Sequence, residues 1–162
     1  MKAIAAFWNR HFLLLEGLCG AAALGCFAAW ARWFGGTATI INALNGNRGA
    51  IYSSLASIFG SLLGFVITAA SIVITTAGSD RMALVRNSVH YKTLWRVFIQ
   101  AMAVLAYATV ASLVALITDR DASPNWISFY LCLAGAIFAA LRMYRCLWVM
   151  IQIIHLFIAD RE

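Results

Sequence analysis

The chain has 162 residues, of which 64% are apolar and 11% are charged, and its formal net charge is +6 at pH 7. Soluble domains carry about 45–50% apolar and about 25% charged residues, so this chain has too few polar side chains to cover a water-facing surface. The composition therefore predicts a membrane protein. At about 20 residues per crossing, four crossings use about half of the chain and leave no room for a second domain or a soluble catalytic domain.

Four apolar runs predict four transmembrane helices in one domain, because a segment without water must bond every backbone amide within itself. The predicted spans are residues 12–34, 50–77, 94–118 and 126–144. The first is too long for a cleaved signal sequence and is predicted to remain as an anchor. An apolar extension at 146–158 is too short for another crossing, so it is predicted to lie along the inner leaflet or to project into the cytoplasm. The predicted fold class is all-α: a polytopic, four-helix membrane protein that forms a homo-oligomeric bundle.

The connections between the spans carry turn-forming residues. A Gly-Gly pair at 35–36 follows the first span, and the single proline, Pro124, precedes the fourth. Residues 37–45 are predicted to form one short interfacial turn of helix that stops at Gly46. The alternation of apolar and basic residues at 80–93 predicts a short amphipathic helix on the inner surface.

The twelve Lys and Arg residues predict the orientation. With four crossings, nine lie on one side of the membrane, and three (Arg32, Arg48 and Arg120) lie on the other. Because basic residues are retained in the cytoplasm, both termini are predicted to be cytoplasmic in a multi-pass inner-membrane protein. The positive net charge then follows from topology and predicts no nucleic-acid partner. The predicted basic cytoplasmic face, which is expected to contact anionic lipid or a cytosolic protein, comprises Arg81, Arg86, Lys92, Arg96, Arg142 and Arg145.

One face of the second predicted span is small and hydroxylated. Steps of three and four residues place seven residues on one continuous helical face: Ser53, Ser57, Gly60, Gly64, Thr68, Ser71 and Thr75. Small residues allow close helix approach, and hydroxyls bond across the contact, so the stripe is predicted to be a packing seam. The alternative is that stripes from several subunits line a narrow pore for ions or water.

Small residues also recur in the other spans. Ala101, Ala108 and Ala115 repeat every seven residues in the third span, and Gly135 and Ala139 are four apart in the fourth. Each of these faces permits a close helix contact. Because a single four-helix subunit can hardly use all of them internally, a homo-oligomer is predicted.

Glu16 is the one acidic residue inside a predicted span. A carboxylate in lipid is costly and usually has a partner or a wet cavity, so an ion pair with a nearby arginine is predicted. The alternative is a proton-coupled site, since a desolvated carboxylate can exchange a proton for a cation. A membrane glutamate in the first of four helices resembles the small multidrug resistance transporters, and the resemblance is limited to that residue.

No catalytic residue, metal site or cofactor is predicted. Intramembrane aspartyl chemistry needs two aspartates within the spans, and the four aspartates lie outside them, while no His-Glu-x-x-His motif is present. Cysteines with ligand spacing would indicate a metal. The four cysteines instead lie singly in apolar helices and are predicted to be packing residues: Cys19, Cys26, Cys132 and Cys146.

The block IYSSLASIFGSLLGFVITAASIVITT at 51–76, followed by a basic connection and YKTLW at 91–95, resembles small bacterial four-helix membrane proteins. Some of these are membrane subunits of antiphage systems such as Kiwa, in which they pair with a cytosolic protein. The resemblance implies a similar anchor or sensor role and assigns no residue. The predicted function is therefore a non-enzymatic, oligomeric inner-membrane protein that engages a cytosolic partner. A channel lined by the helix stripe is the alternative, and a transporter using Glu16 is the third.

Overall fold

A computed structural model describes the backbone of residues 2–76, 91–121 and 123–159, and the side chains of residues 15, 17–75, 94–121 and 123–151. Within these ranges the regular structure is helical. The described chain forms five helices: α1 (Lys2–Trp33), α2 (Gly36–Leu44), α3 (Arg48–Thr76), α4 (Tyr91–Thr118) and α5 (Trp126–Ala159). The predicted all-α fold class is confirmed. The predicted amphipathic helix at 80–93 lies mainly outside the described residues.

Three of the described helices are long and apolar enough to cross a membrane: Arg48–Thr75, Leu94–Thr118 and Trp126–Ile151. Large apolar side chains project from all three, with Phe65, Val110 and Leu147 more than half exposed. A water-soluble protein does not expose such surfaces over the length of its helices. These three helices fit a membrane protein. The first predicted span lies on α1, where the side chains at 12–14 and 16 are outside the described residues, and a fourth crossing stays a prediction.

The connection between α1 and α3 follows the predicted pattern. Gly35 and Gly46 both have left-handed backbone conformations, with φ of 69° and 74°, which side chains with a Cβ rarely adopt. Gly35 allows the chain to turn from α1 into α2, and Gly46 follows the end of α2. The predicted short helix with a glycine stop is confirmed.

The core of the molecule lies on both sides of α4, which packs along α3 and along α5. Ala101, Ala108 and Ala115 are fully buried, as is Leu105 between them. Helices α4 and α5 lie close together at Gly135 of α5, where an added Cβ would lie 3.0 Å from the Cα of Ala108. Ala108, from the middle of the seven-residue alanine repeat, and Gly135 therefore meet in the α4–α5 contact within one chain, and α5 also packs on α1.

Helix α5 is longer than the predicted span at 126–144. It begins immediately after Asn125, whose side-chain oxygen accepts bonds from the backbone N–H groups of Ile127 and Ser128 at 3.1 and 3.4 Å. This is the usual cap of a helix N-terminus. The helix then continues without a break through the predicted extension to Ala159.

Candidate functional site

A buried group of charged and polar side chains lies where α3 begins and α4 ends. Arg48 Nη1 donates to both carboxylate oxygens of Asp119 at 2.7 Å, and the hydroxyl of Tyr52 donates to Asp119 Oδ2. Arg48 is 4% exposed and Asp119 is 1% exposed. We call Arg48, Tyr52, Asp119, Asp121 and Asn125 the Asp119 cluster, and the end of the helices that holds it the Asp119 end.

The backbone around the cluster supplies further bonds. The N–H of Asn125 donates to Asp119 Oδ1 at 2.7 Å, so the carboxylate reaches the start of α5 as well. The second aspartate, Asp121, accepts a bond from the Gly46 N–H at 3.2 Å and lies 3.5 Å from Arg48 Nε. One buried carboxylate thus joins the start of α3, the end of α4 and the start of α5.

The bonding of Asp119 indicates what the cluster does. Both of its oxygens accept hydrogen bonds from the protein, and its charge is balanced by Arg48 at bonding distance. Taking charges out of water is costly unless they are paired and hydrogen-bonded, and the Asp119 carboxylate is both. The cluster therefore has a structural role: its bonds hold three helix ends together. Both oxygens of Asp119 are already occupied by donors from the protein.

Sequence reasoning assigned Arg48 and Asp119 to polar connections and missed their pairing. A signal was present, since consecutive antiparallel spans bring the start of one beside the end of the next. Opposite charges at those two positions therefore face each other at the same membrane depth. The two aspartates around Arg120 made the choice of partner ambiguous from sequence alone.

The α4–α5 contact beside the cluster contains hydroxyl and thiol groups. Ser112 Oγ donates to the Ala108 carbonyl at 2.8 Å and lies 3.3 Å from the Sγ of Cys132. Thr118 Oγ1 lies 2.6 Å from Ser128 Oγ. Polar pairs of this kind hold membrane helices together. Cys132 and Cys146 are buried and reduced, whereas Cys19 and Cys26 are exposed, so the predicted packing role fits the first pair within this chain.

The stripe on α3 faces away from the other described helices. Six members (Ser53, Ser57, Gly64, Thr68, Ser71 and Thr75) are exposed, and Gly60 is half-buried. The residues that pack against the core instead include Phe59, Val66 and Ala70, on the other face. No atom of the described residues lies within 4 Å of a Cβ built at Gly60 or Gly64. The stripe is therefore open to lipid or to another chain and is not a seam between α3 and α4.

Several hydroxyls of the stripe bond to their own helix. Thr68 donates to the Gly64 carbonyl and Ser71 to the Ile67 carbonyl, both at 2.9 Å, and Thr75 donates to the Ile72 carbonyl at 3.0 Å. A hydroxyl that bonds a carbonyl three or four residues earlier leaves no unpaired donor in lipid. These contacts make the stripe compatible with a hydrocarbon environment and with close packing against a second helix.

The predicted basic face is partly described. Arg96 is exposed on α4, and Arg142 on α5 is half-buried and donates to Gln100 Oε1 at 3.2 Å. Arg145, one turn further along α5, is also half-buried. Helices α4 and α5 thus both carry basic side chains toward the end opposite the Asp119 end. The remaining predicted side chains (Glu16, Arg81, Arg86 and Lys92) lie outside the described set.

Among the described side chains, no three from the His, Cys, Asp and Glu residues are grouped closely enough to hold a metal ion. The prediction of no metal, no cofactor and no catalytic residue remains a prediction from the sequence. Comparisons with protein-family models, with curated proteins and with solved structures find no match to this chain.

Proposed function

We propose that this chain is a non-enzymatic membrane subunit that assembles with copies of itself and engages a cytosolic protein through its basic end. The length of α5 is the observation that carries the proposal. Its 34 residues rise about 51 Å at 1.5 Å per residue, whereas the hydrocarbon core of a bilayer is about 30 Å thick. About 20 Å of rigid helix is therefore in excess of one crossing.

Helix α5 and its apolar span both begin at Trp126, beside the Asp119 cluster. The helix therefore enters the membrane at the Asp119 end, and its excess length projects at the opposite end. Exposed Arg96 and half-buried Arg145 flank this end, and Trp148 is exposed on the same stretch of α5. Under the positive-inside rule this is the cytoplasmic end. A projecting helix with basic neighbours fits a partner with an acidic surface, since complementary charge favours association.

The partner role is tested by site-specific crosslinking in cells. A photo-crosslinking residue at Trp148 is expected to yield a discrete protein adduct, whereas the same residue at Trp33, at the Asp119 end, is not. Charge reversal by Arg86→Glu and Arg96→Glu together should remove the Trp148 adduct. The control Arg120→Glu reverses one charge at the other end and should leave it. An adduct of equal yield in both charge variants contradicts the proposal.

Self-association is supported by the open stripe on α3. Gly60 and Gly64 have free space above them, and small residues in this arrangement let two membrane helices approach closely. Gly64→Leu should reduce the mass of the detergent-solubilised assembly without unfolding the chain. Ala103→Leu adds a similar side chain to an exposed position on α4 and serves as the control. A full-size assembly in Gly64→Leu would refute assembly through this face.

A pore is the second candidate function, because the same stripe presents hydroxyls outside the subunit. In a closed ring those hydroxyls line the axis and carry ions or water past their oxygens. Proteoliposomes should then show ion flux that falls when Ser57, Thr68 and Thr75 are changed to Ala. Absence of flux, or flux unchanged by these substitutions, removes the pore and leaves the stripe as a contact between subunits.

The remaining parts of the proposal rest on the sequence. Inner-membrane location with both termini in the cytoplasm follows from the distribution of basic residues. A role in phage defence follows from the resemblance of residues 51–76 and 91–95 to small membrane subunits of such systems. Proton-coupled transport through Glu16 is the third hypothesis, and Glu16→Gln should abolish pH-dependent exchange if it is correct.

A further inference from the structure

An open cavity of 490 Å³ lies at the Asp119 end, between α1, α2 and the start of α5. Its lining residues are Ala28, Ala31, Arg32, Thr37, Trp126 and Tyr130. Thr37 Oγ1 donates to the Ala31 carbonyl at 2.7 Å, which fixes the beginning of α2 against the end of α1. One wall of the cavity is thus formed where the start of α2 is hydrogen-bonded to the end of α1.

Aromatic side chains form one side of the cavity. The rings of Trp126 and Tyr130 lie 6.4 Å apart, and Phe27 of α1 lies 6.4 Å from Tyr130. Trp126 is the first residue of an apolar span, and tryptophan and tyrosine concentrate where hydrocarbon meets the lipid headgroups. The adjacent residues Trp33 and Phe34 are 76% and 78% exposed. These positions place the cavity at headgroup depth.

The cation in the cavity, Arg32, lies in the last turn of α1 and is exposed. Within the described part of the chain, no carboxylate lies within 4 Å of its guanidinium. The nearby aspartates of the Asp119 cluster are instead directed to Arg48. A guanidinium binds phosphate oxygens with two parallel bonds, and the indole N–H of Trp126 and the hydroxyl of Tyr130 are further donors of the kind that phosphate accepts.

We propose that this cavity binds the phosphate of an anionic phospholipid. The phosphate lies against Arg32, the glycerol lies beside the rings of Trp126 and Tyr130, and the acyl chains pass along the apolar surfaces of α1 and α5. A soluble phosphate ester has the same charged group. The lipid is favoured because the cavity opens at headgroup depth beside exposed aromatic residues, where lipid phosphates are the abundant anions.

The test uses the full-length protein purified in a neutral detergent and titrated with phosphatidylglycerol, with bound lipids counted by native mass spectrometry. The wild type should retain one phosphatidylglycerol, and phosphatidylcholine should bind more weakly because its headgroup carries no net charge. Arg32→Gln should weaken phosphatidylglycerol binding about fivefold, which corresponds to one basic side chain at an anionic surface. Arg32→Lys should retain most of the affinity.

Arg120→Gln is the matched control, since Arg120 is an exposed arginine at the same end that does not line the cavity. Its affinity should equal that of the wild type. Equal affinity in Arg32→Gln and the wild type overturns the proposal. Competition by glycerol 3-phosphate at the same concentration as the lipid also overturns it, because it would identify a site for soluble phosphate esters.

Discussion

Removing the carboxylate of Asp119 is expected to destabilise the fold more than removing any exposed charge. The substitution Asp119→Leu leaves Arg48 buried as an unpaired cation and removes the acceptor of the Tyr52 hydroxyl and of the Asn125 N–H. Each of these groups was desolvated on folding. In the variant these groups stay desolvated but lack the acceptor, so the desolvation free energy of each group destabilises the folded state.

Breaking a buried ion pair by removing one partner costs about 3–5 kcal/mol. The lower part of the range applies here, because Arg48 Nε keeps Asp121 Oδ1 at 3.5 Å and the Asp121 side chain is 43% exposed. Water that reaches Asp121 weakens this second attraction without abolishing it. We therefore expect the free energy of unfolding to fall by about 3 kcal/mol in Asp119→Leu.

The double variant Arg48→Met/Asp119→Leu should be more stable than Asp119→Leu alone. It buries no charge, and apolar replacement of a buried pair is often neutral. What remains is the unmet bonding of Tyr52 and Asn125, about 1–3 kcal/mol. The control Asp121→Ala, at an exposed pair, should cost less than about 1 kcal/mol.

The measurement is reversible unfolding in detergent micelles titrated with sodium dodecyl sulfate, followed by the helical circular dichroism signal. Equal unfolding free energies for Asp119→Leu and the double variant would mean that Arg48 is not the group left unpaired. A loss of similar size in Asp121→Ala would mean that the exposed carboxylate balances the charge of Arg48 as much as Asp119 does, which contradicts the central role given to Asp119.

Three further predictions use the same titration. Gly135→Val should cost about 1–3 kcal/mol, because its side chain meets the backbone of Ala108, while Gly64→Val, with open space above it, should change stability by less than about 0.5 kcal/mol. Tyr52→Phe removes a donor to a buried carboxylate and should cost about 1.5–3 kcal/mol. Phe98→Ala opens a cavity at a fully buried core position and should cost about 3–5 kcal/mol.

The positions of the described helices were largely predictable because apolar length and turn residues act locally. Gly35 and Gly46 mark backbone turns whatever the helices pack against, and Pro124 marks the approach to a helix in the same way. The stripe on α3 was also readable as one face, since the helical period alone brings its residues together. These features need no knowledge of tertiary contacts.

Which faces pack together was not predictable by the same means. In a soluble helix the buried face is the apolar one, but in lipid both the buried and the exposed faces are apolar. Thus Val66 and Ile67 of α3 look alike in sequence, yet Val66 is buried and Ile67 is exposed. Small residues mark close contacts only in part, since a Cβ at Gly135 would meet Ala108, whereas a Cβ at Gly64 would meet no atom of the described residues.

The Asp119 cluster changes how the net charge of the chain is interpreted. Under the predicted topology, three basic and two acidic side chains leave a net charge of +1 at the Asp119 end, and the other nine basic and four acidic residues leave +5. Arg48 is buried against Asp119 and Asp121, so Arg32 and Arg120 are the exposed arginines at that end. Because Arg32 lines the cavity at this end and Arg120 is not among its lining residues, anion binding at this end should depend on one residue. Binding at the opposite end should depend on several residues and fall gradually as they are replaced.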